Sequence, residues 1–148
     1  MRSSRAFKLV GFIIFIAIIS ALIAAVIVSI SLSGKDLDAV ARALRSNIQF
    51  AQDLAMTRGS HYGFTGVSTT EYQIFDGAPG TPARNPFTNR NFNVNISPIA
   101  FVGAVPTITF LSSGQPNIAS NEMITLTDGT GTVKVKVARS TGYVSIVK

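Results

Sequence analysis

Side chains able to do acid–base, nucleophilic or metal chemistry are sparse in this chain of 148 residues, which holds one histidine, seven acids and no cysteine. Acid–base or nucleophilic work by His61 needs a carboxylate or nucleophile within hydrogen-bond reach. The sequence identifies none, so His61 reads as a polar loop residue. The acids are scattered and form no cluster of the kind calcium loops use. Asp128-Gly129 reads as a hairpin turn, and Asp36 and Asp38 as acids favoured by the dipole at the start of a helix. The lack of cysteine excludes a disulfide framework and thiolate chemistry without fixing a compartment. No catalytic residue, cofactor site or metal site is expected, and the chain is not read as an enzyme.

The remaining chemistry is electrostatic. Lys134, Lys136, Arg139 and Lys148 give residues 130–148 a charge of +4 with no acid, whereas residues 59–129 sum to −2. Such a basic patch is the footprint that binding to a polyanion such as DNA requires. Alternating lysines are equally the solvated, edge-protecting face of an antiparallel strand. If the protein contacts nucleic acid, this end of the chain is the place to look.

The elements that position these residues begin with an uncharged run from Leu9 to Gly34. A 26-residue helix at about 1.5 Å per residue reaches roughly 39 Å, more than the roughly 30 Å hydrocarbon core of a bilayer. It is also longer than the apolar core of a cleaved secretory signal, about 7 to 15 residues. Arg2, Arg5 and Lys8 supply half of the net charge of +6 immediately before it, so the N-terminus is expected to stay cytoplasmic. The mean hydropathy of +0.37 reflects mostly this segment.

Beyond Gly34 the pattern becomes amphipathic. Leu37, Val40, Ala41, Leu44, Ile48, Ala51, Leu54 and Ala55 recur at helical spacing, with Arg42, Arg45, Gln49, Gln52 and Asp53 on other faces. The spacing predicts a helix to Arg58, capped by Gly59. With no proline before Pro79, a two-part helix of roughly 75 Å is expected if Gly34 does not interrupt it. Short alternating runs follow at 62–67, 71–75, 92–96, 107–110, 123–127, 132–138 and 143–146, punctuated by Asp76-Gly77, Ser113-Gly114, Asp128-Gly129 and Thr141-Gly142. Gly77 to Asn91 reads as a long loop. Val133, Val135 and Val137 alternate with Lys134 and Lys136, so the valine face needs a cover, and the amphipathic helix is the obvious one. The expected fold class is α+β, a long N-terminal helix packed on an antiparallel β-sheet head.

The short basic leader, the phenylalanine, the apolar helix with its IAII core and the amphipathic continuation resemble the type IV pilin-like proteins. RALRSNIQFAQDLAMTRGS, TITFLSSGQP and TLTDGTGTVKVKVARSTGYVSIV are similar to the H-type minor pseudopilins of type II secretion and the FimT/FimU-type minor pilins. The resemblance implies a prepilin leader at 1–6, a transmembrane helix at 7–34, an amphipathic helix at 35–58 and a periplasmic β-rich head at 59–148. It implies cleavage by prepilin peptidase between Ala6 and Phe7, with Phe7 as the methylated N-terminus. A second register, Gly11 before Phe12, would move the cut past Lys8 into the apolar run.

The family glutamate at the fifth mature position is missing: Gly11 stands there, or Ile16 in the second register. Its loss eases membrane insertion and removes an intersubunit contact. The implied role is a structural subunit, a minor pilin or pseudopilin, anchored in the bacterial inner membrane or assembled in a pilus or pseudopilus. Its partners would be other pilins or pseudopilins, prepilin peptidase, the inner-membrane assembly platform and the lipid bilayer. Two other readings are a DNA-binding minor pilin for natural transformation and a membrane-tethered β-domain that is never assembled.

Overall fold

The computed structural model describes residues 36–86 and 88–147. The expectations for the leader, the apolar segment, Ala6, Phe7, Gly11 and Lys148 fall outside them. Among the described residues no helix is long and apolar enough to cross a membrane.

The amphipathic stretch forms α1 (Leu37–Arg58), and this helix has its own beginning. Asp36 is extended, at φ −61° and ψ 126°, and its carboxylate accepts from the Asp38 N–H at 3.1 Å. That is a side-chain N-cap, supplying an acceptor to a donor the helix cannot satisfy itself. The second part of the expected two-part helix thus starts at Leu37, with Asp36 as its cap. Its other end is the expected one: Gly59 turns left-handed at φ 64° and its N–H bonds the Ala55 carbonyl.

Val40, Ala41, Leu44, Ile48, Ala51 and Ala55 are buried along one stripe of α1, while Leu37, Phe50 and Leu54 pack at its margin. The stripe meets two four-stranded antiparallel sheets. The first has the order β3-β2-β1-β5, from β1 (Tyr62–Ser68), β2 (Glu71–Asp76), β3 (Asn93–Asn95) and β5 (Ile108–Phe110). The second has the order β4-β6-β7-β8, from β4 (Ala100–Val102), β6 (Glu122–Thr127), β7 (Thr132–Val137) and β8 (Val144–Val147). The seven expected strands are present within a residue or two of their expected ends. The eighth, β4, lies in an apolar run without alternation and exists because Phe101 pairs with Leu126 across the ladder.

The core is shared by helix and sheets. Phe64, Tyr72 and Phe101 form an aromatic group with centroid spacings of 5.3 and 6.2 Å, linking the two sheets. Asn47 of α1 donates to the Tyr72 hydroxyl at 2.7 Å, satisfying the polar end of a ring that is otherwise buried. Burial nevertheless pushes that hydroxyl up to about 12, against the smaller opposing effect of Asn47. Val133, Val135 and Val137 are buried as the alternation predicts. The 77–91 connection is less loose than its composition suggests, because Ala83 is buried and exchanges backbone bonds with Ile74 and Phe92.

Candidate functional site

The basic residues are placed by the register of β7. Lys134 lies opposite Thr125 on β6 and Val147 on β8, and Lys136 opposite Met123 and Ser145. Strand alternation turns these residues to the outer face of the second sheet, away from the buried valines. Val102, Met123 and Val147 are each at least 38 % exposed, so apolar surface flanks the two lysines. Arg139 follows β7, where its backbone N–H donates to Asn121 Oδ1 at 2.9 Å. Three of the four basic candidates thus belong to one sheet and its margin. The mixture of cationic and apolar groups suits a protein surface at least as well as a phosphate backbone.

Two turns are tied to α1 by one side chain. Gln52 Nε2 donates to the carbonyls of Gly114 at 2.7 Å and Thr141 at 2.8 Å, using both hydrogens of its amide. The SSG turn after β5 and the STG turn between β7 and β8 are thereby fastened to the last turns of the helix. Gly142 has φ 71°, and a Cβ there would stand 2.5 Å from Gln52 Nε2 and 3.1 Å from the Phe110 ring. The two turn motifs that carry the family resemblance therefore converge on Gln52. Sequence reading places Gln52 among the polar faces of the helix. The missed signal is its position four residues after Ile48 and three before Ala55, at the border of the buried stripe.

The other chemical candidates are accounted for locally. His61 is exposed, and its carbonyl accepts from Gly77 N–H at 2.8 Å. Asp128 Oδ1 accepts from Gly131 N, Thr130 Oγ1 and Thr130 N, each at 2.8 Å. These bonds, the Gly131 N–H foremost, hold its carboxyl down to about 2. The residue closes its own loop, as the turn reading expects. Among the described residues no group of three or more His, Cys, Asp or Glu side chains could hold a metal ion.

The Type II transport protein GspH family matches residues 40–141, from the first turn of α1 to the STG turn. The chain belongs to the GspH family. The fold is similar to the type IV minor pilin FimU of Pseudomonas aeruginosa in two crystal forms. One gives a TM-score of 0.58 at 13% identity over 76% of this chain and 88% of that one. The other gives 0.59 at 12% identity over 76% and 93%. It is also similar to the minor pseudopilin EpsH of the Vibrio cholerae type 2 secretion system, with a TM-score of 0.57 at 10% identity over 76% of this chain and 97% of that one. No curated protein matches the chain by sequence. At these identities the structural matches carry the fold, and the pilin-like α+β architecture is that of both FimU and EpsH. The family assignment rests on the 40–141 match, which takes in Gln52 and both carbonyls it holds.

Proposed function

We propose that this GspH-family protein is a minor pilin or pseudopilin, a structural subunit that takes part in assembling a type IV pilus or a type II secretion pseudopilus. The observation that carries this reading is the family match across residues 40–141, on a head whose fold is that of FimU and EpsH. On this reading prepilin peptidase cuts between Ala6 and Phe7, and Phe7 becomes the methylated N-terminus. Residues 7–34 then hold the chain in the bacterial inner membrane as a single span, with the head in the periplasm. The work of the protein is associative: its partners are other pilins or pseudopilins, the inner-membrane assembly platform and the lipid bilayer, and no cofactor enters. Gly11 in place of the family glutamate removes one intersubunit contact and favours a low-copy or terminal position over that of a repeating subunit.

Deletion of the gene tests the reading. The expected outcome is loss of surface pili or of type II secretion, restored by the wild-type chain. Normal pili and normal secretion in the deletion strain would overturn it.

One observation favours the DNA-binding reading: Lys134 and Lys136 face outward together on β7, with Arg139 beyond them. Replacing all three with glutamine should lower DNA retention and flatten its salt dependence, because each lost phosphate contact lowers the slope by roughly one. Unchanged retention and slope would remove that reading.

A further inference from the structure

A cavity of about 470 Å³ lies at the C-terminal end of α1, bounded by the last helical turn, the end of β2 and the connection that follows it. Leu54, Arg58, Asp76, Pro82, Arg84 and Pro86 are among its walls. The two guanidiniums come from distant parts of the sequence and are each steadied by uncharged groups. Arg58 stands 6.0 Å over the Tyr62 ring and donates a long bond of 3.4 Å to its hydroxyl. Arg84 donates two long bonds of 3.4 Å to the carbonyl and side-chain oxygens of Asn89. Asn89 holds a left-handed backbone, at φ 53°, in a turn closed by its own N–H on the Asn85 carbonyl. Asp76 stands on the same wall, and its Oδ2 accepts at 2.9 Å from the Tyr62 hydroxyl to which Arg58 donates. Burial first, and then that bond, push the Tyr62 hydroxyl above its ordinary value, so it remains a donor. Among the described residues no ion pair joins Arg58 or Arg84 to a carboxylate.

Two oriented cations and one carboxylate wall the same concavity, and the single positive charge left over awaits an anion. We propose that this cavity receives a carboxylate from an acidic segment of a partner protein subunit. A planar carboxylate matches the fork of a guanidinium and can accept from both arginines. One such group brings Arg58, Arg84, Asp76 and the ligand to neutrality, whereas a phosphate dianion would leave an excess negative charge beside Asp76. Leu54, Pro82 and Pro86 supply the apolar wall that a peptide main chain and its stems need and a free anion does not. The proposal rests on the filament-subunit reading only for the source of the carboxylate.

The test is a titration of the full chain, detergent-solubilised and followed through its arginine Nε–Hε resonances. The probes are acetyl-Ala-Glu-Ala-amide, its glutamine counterpart and inorganic phosphate. The glutamate peptide should shift Arg58 and Arg84 together and saturably. Either Arg58→Gln or Arg84→Gln should weaken binding about tenfold, and Arg42→Gln should leave it unchanged. No shift at Arg58 and Arg84, an equal response to the glutamine peptide, or tighter binding of phosphate would overturn the proposal. The titration needs neither a filament nor prepilin peptidase. Its failure therefore counts against the cavity alone, and normal pili and secretion in a deletion strain count against the filament reading alone.

Discussion

The two ends of α1 handle charge in opposite ways. At its start the charged groups are turned inward on the chain itself: Asp36 caps the helix, and Asp128, in the loop whose Gly131 lies beside Leu37, gives one oxygen to three donors of its own turn. At its finish the holding is done by the neutral amide of Gln52, which binds two turn carbonyls, while Arg58 and Arg84 keep their charge at an open cavity. A charge consumed by its own loop stabilises local structure and offers little to a partner. A charge held in place by neutral groups is already oriented and still has its electrostatic interaction to give.

This contrast predicts that substitutions at the start of α1 and at the Gln52 junction cost stability, whereas substitutions at the cavity cost binding. The largest loss is expected for Gly142→Ala, which adds left-handed strain and displaces the Gln52 amide, about 3 kcal/mol by denaturant unfolding. Gln52→Ala should cost about 1.5 kcal/mol, and the two together less than their sum, because they break the same junction. Additive losses in that double-mutant cycle would break the link between the turns and the helix. Asp36→Ala should cost about 1 kcal/mol through loss of the cap. Arg58→Gln and Arg84→Gln should stay within about 0.5 kcal/mol of wild type in the same assay. A larger loss would make the arginines structural and erase the contrast.

Two titrations sharpen the comparison. The Asp128 carboxyl, followed by carbon NMR, should titrate near 2 where its ordinary value is 3.8. Because the folded value is the lower one, the loop's contribution is complete above 3.8 and is lost as pH falls through about 2. Tyr72 shows the opposite sign in the core. Its folded value of about 12 exceeds the ordinary 10, so its contribution is complete below pH 10 and disappears as pH rises toward 12. Tyr72→Phe should remove that alkaline step from the thermal unfolding profile.

Local pattern carried much of the fold. The buried stripe of α1, its Gly59 cap, seven strands and the turn glycines follow from periodicity and turn chemistry that act over a few residues. What escaped is non-local. The division into two sheets depends on β1 pairing with β5 and β4 with β6, partners far apart in the chain. β4 itself lies in a run whose apolar residues do not alternate. The outward pair Lys134 and Lys136 was legible from strand period. The cavity was not, because Arg58 closes a helix and Arg84 lies in a stretch whose composition signals only a loop. Gln52 was hidden by its type, since a glutamine on an amphipathic helix reads as solvated until the turns that meet it are known.

Processing and assembly as a pilin-like subunit, as proposed above, would be written in the mass of the protein's N-terminus. Protein recovered from cells with active prepilin peptidase should begin at a methylated Phe7, having lost residues 1–6. An intact Met1 in those cells would mean that the chain is not processed as a pilin.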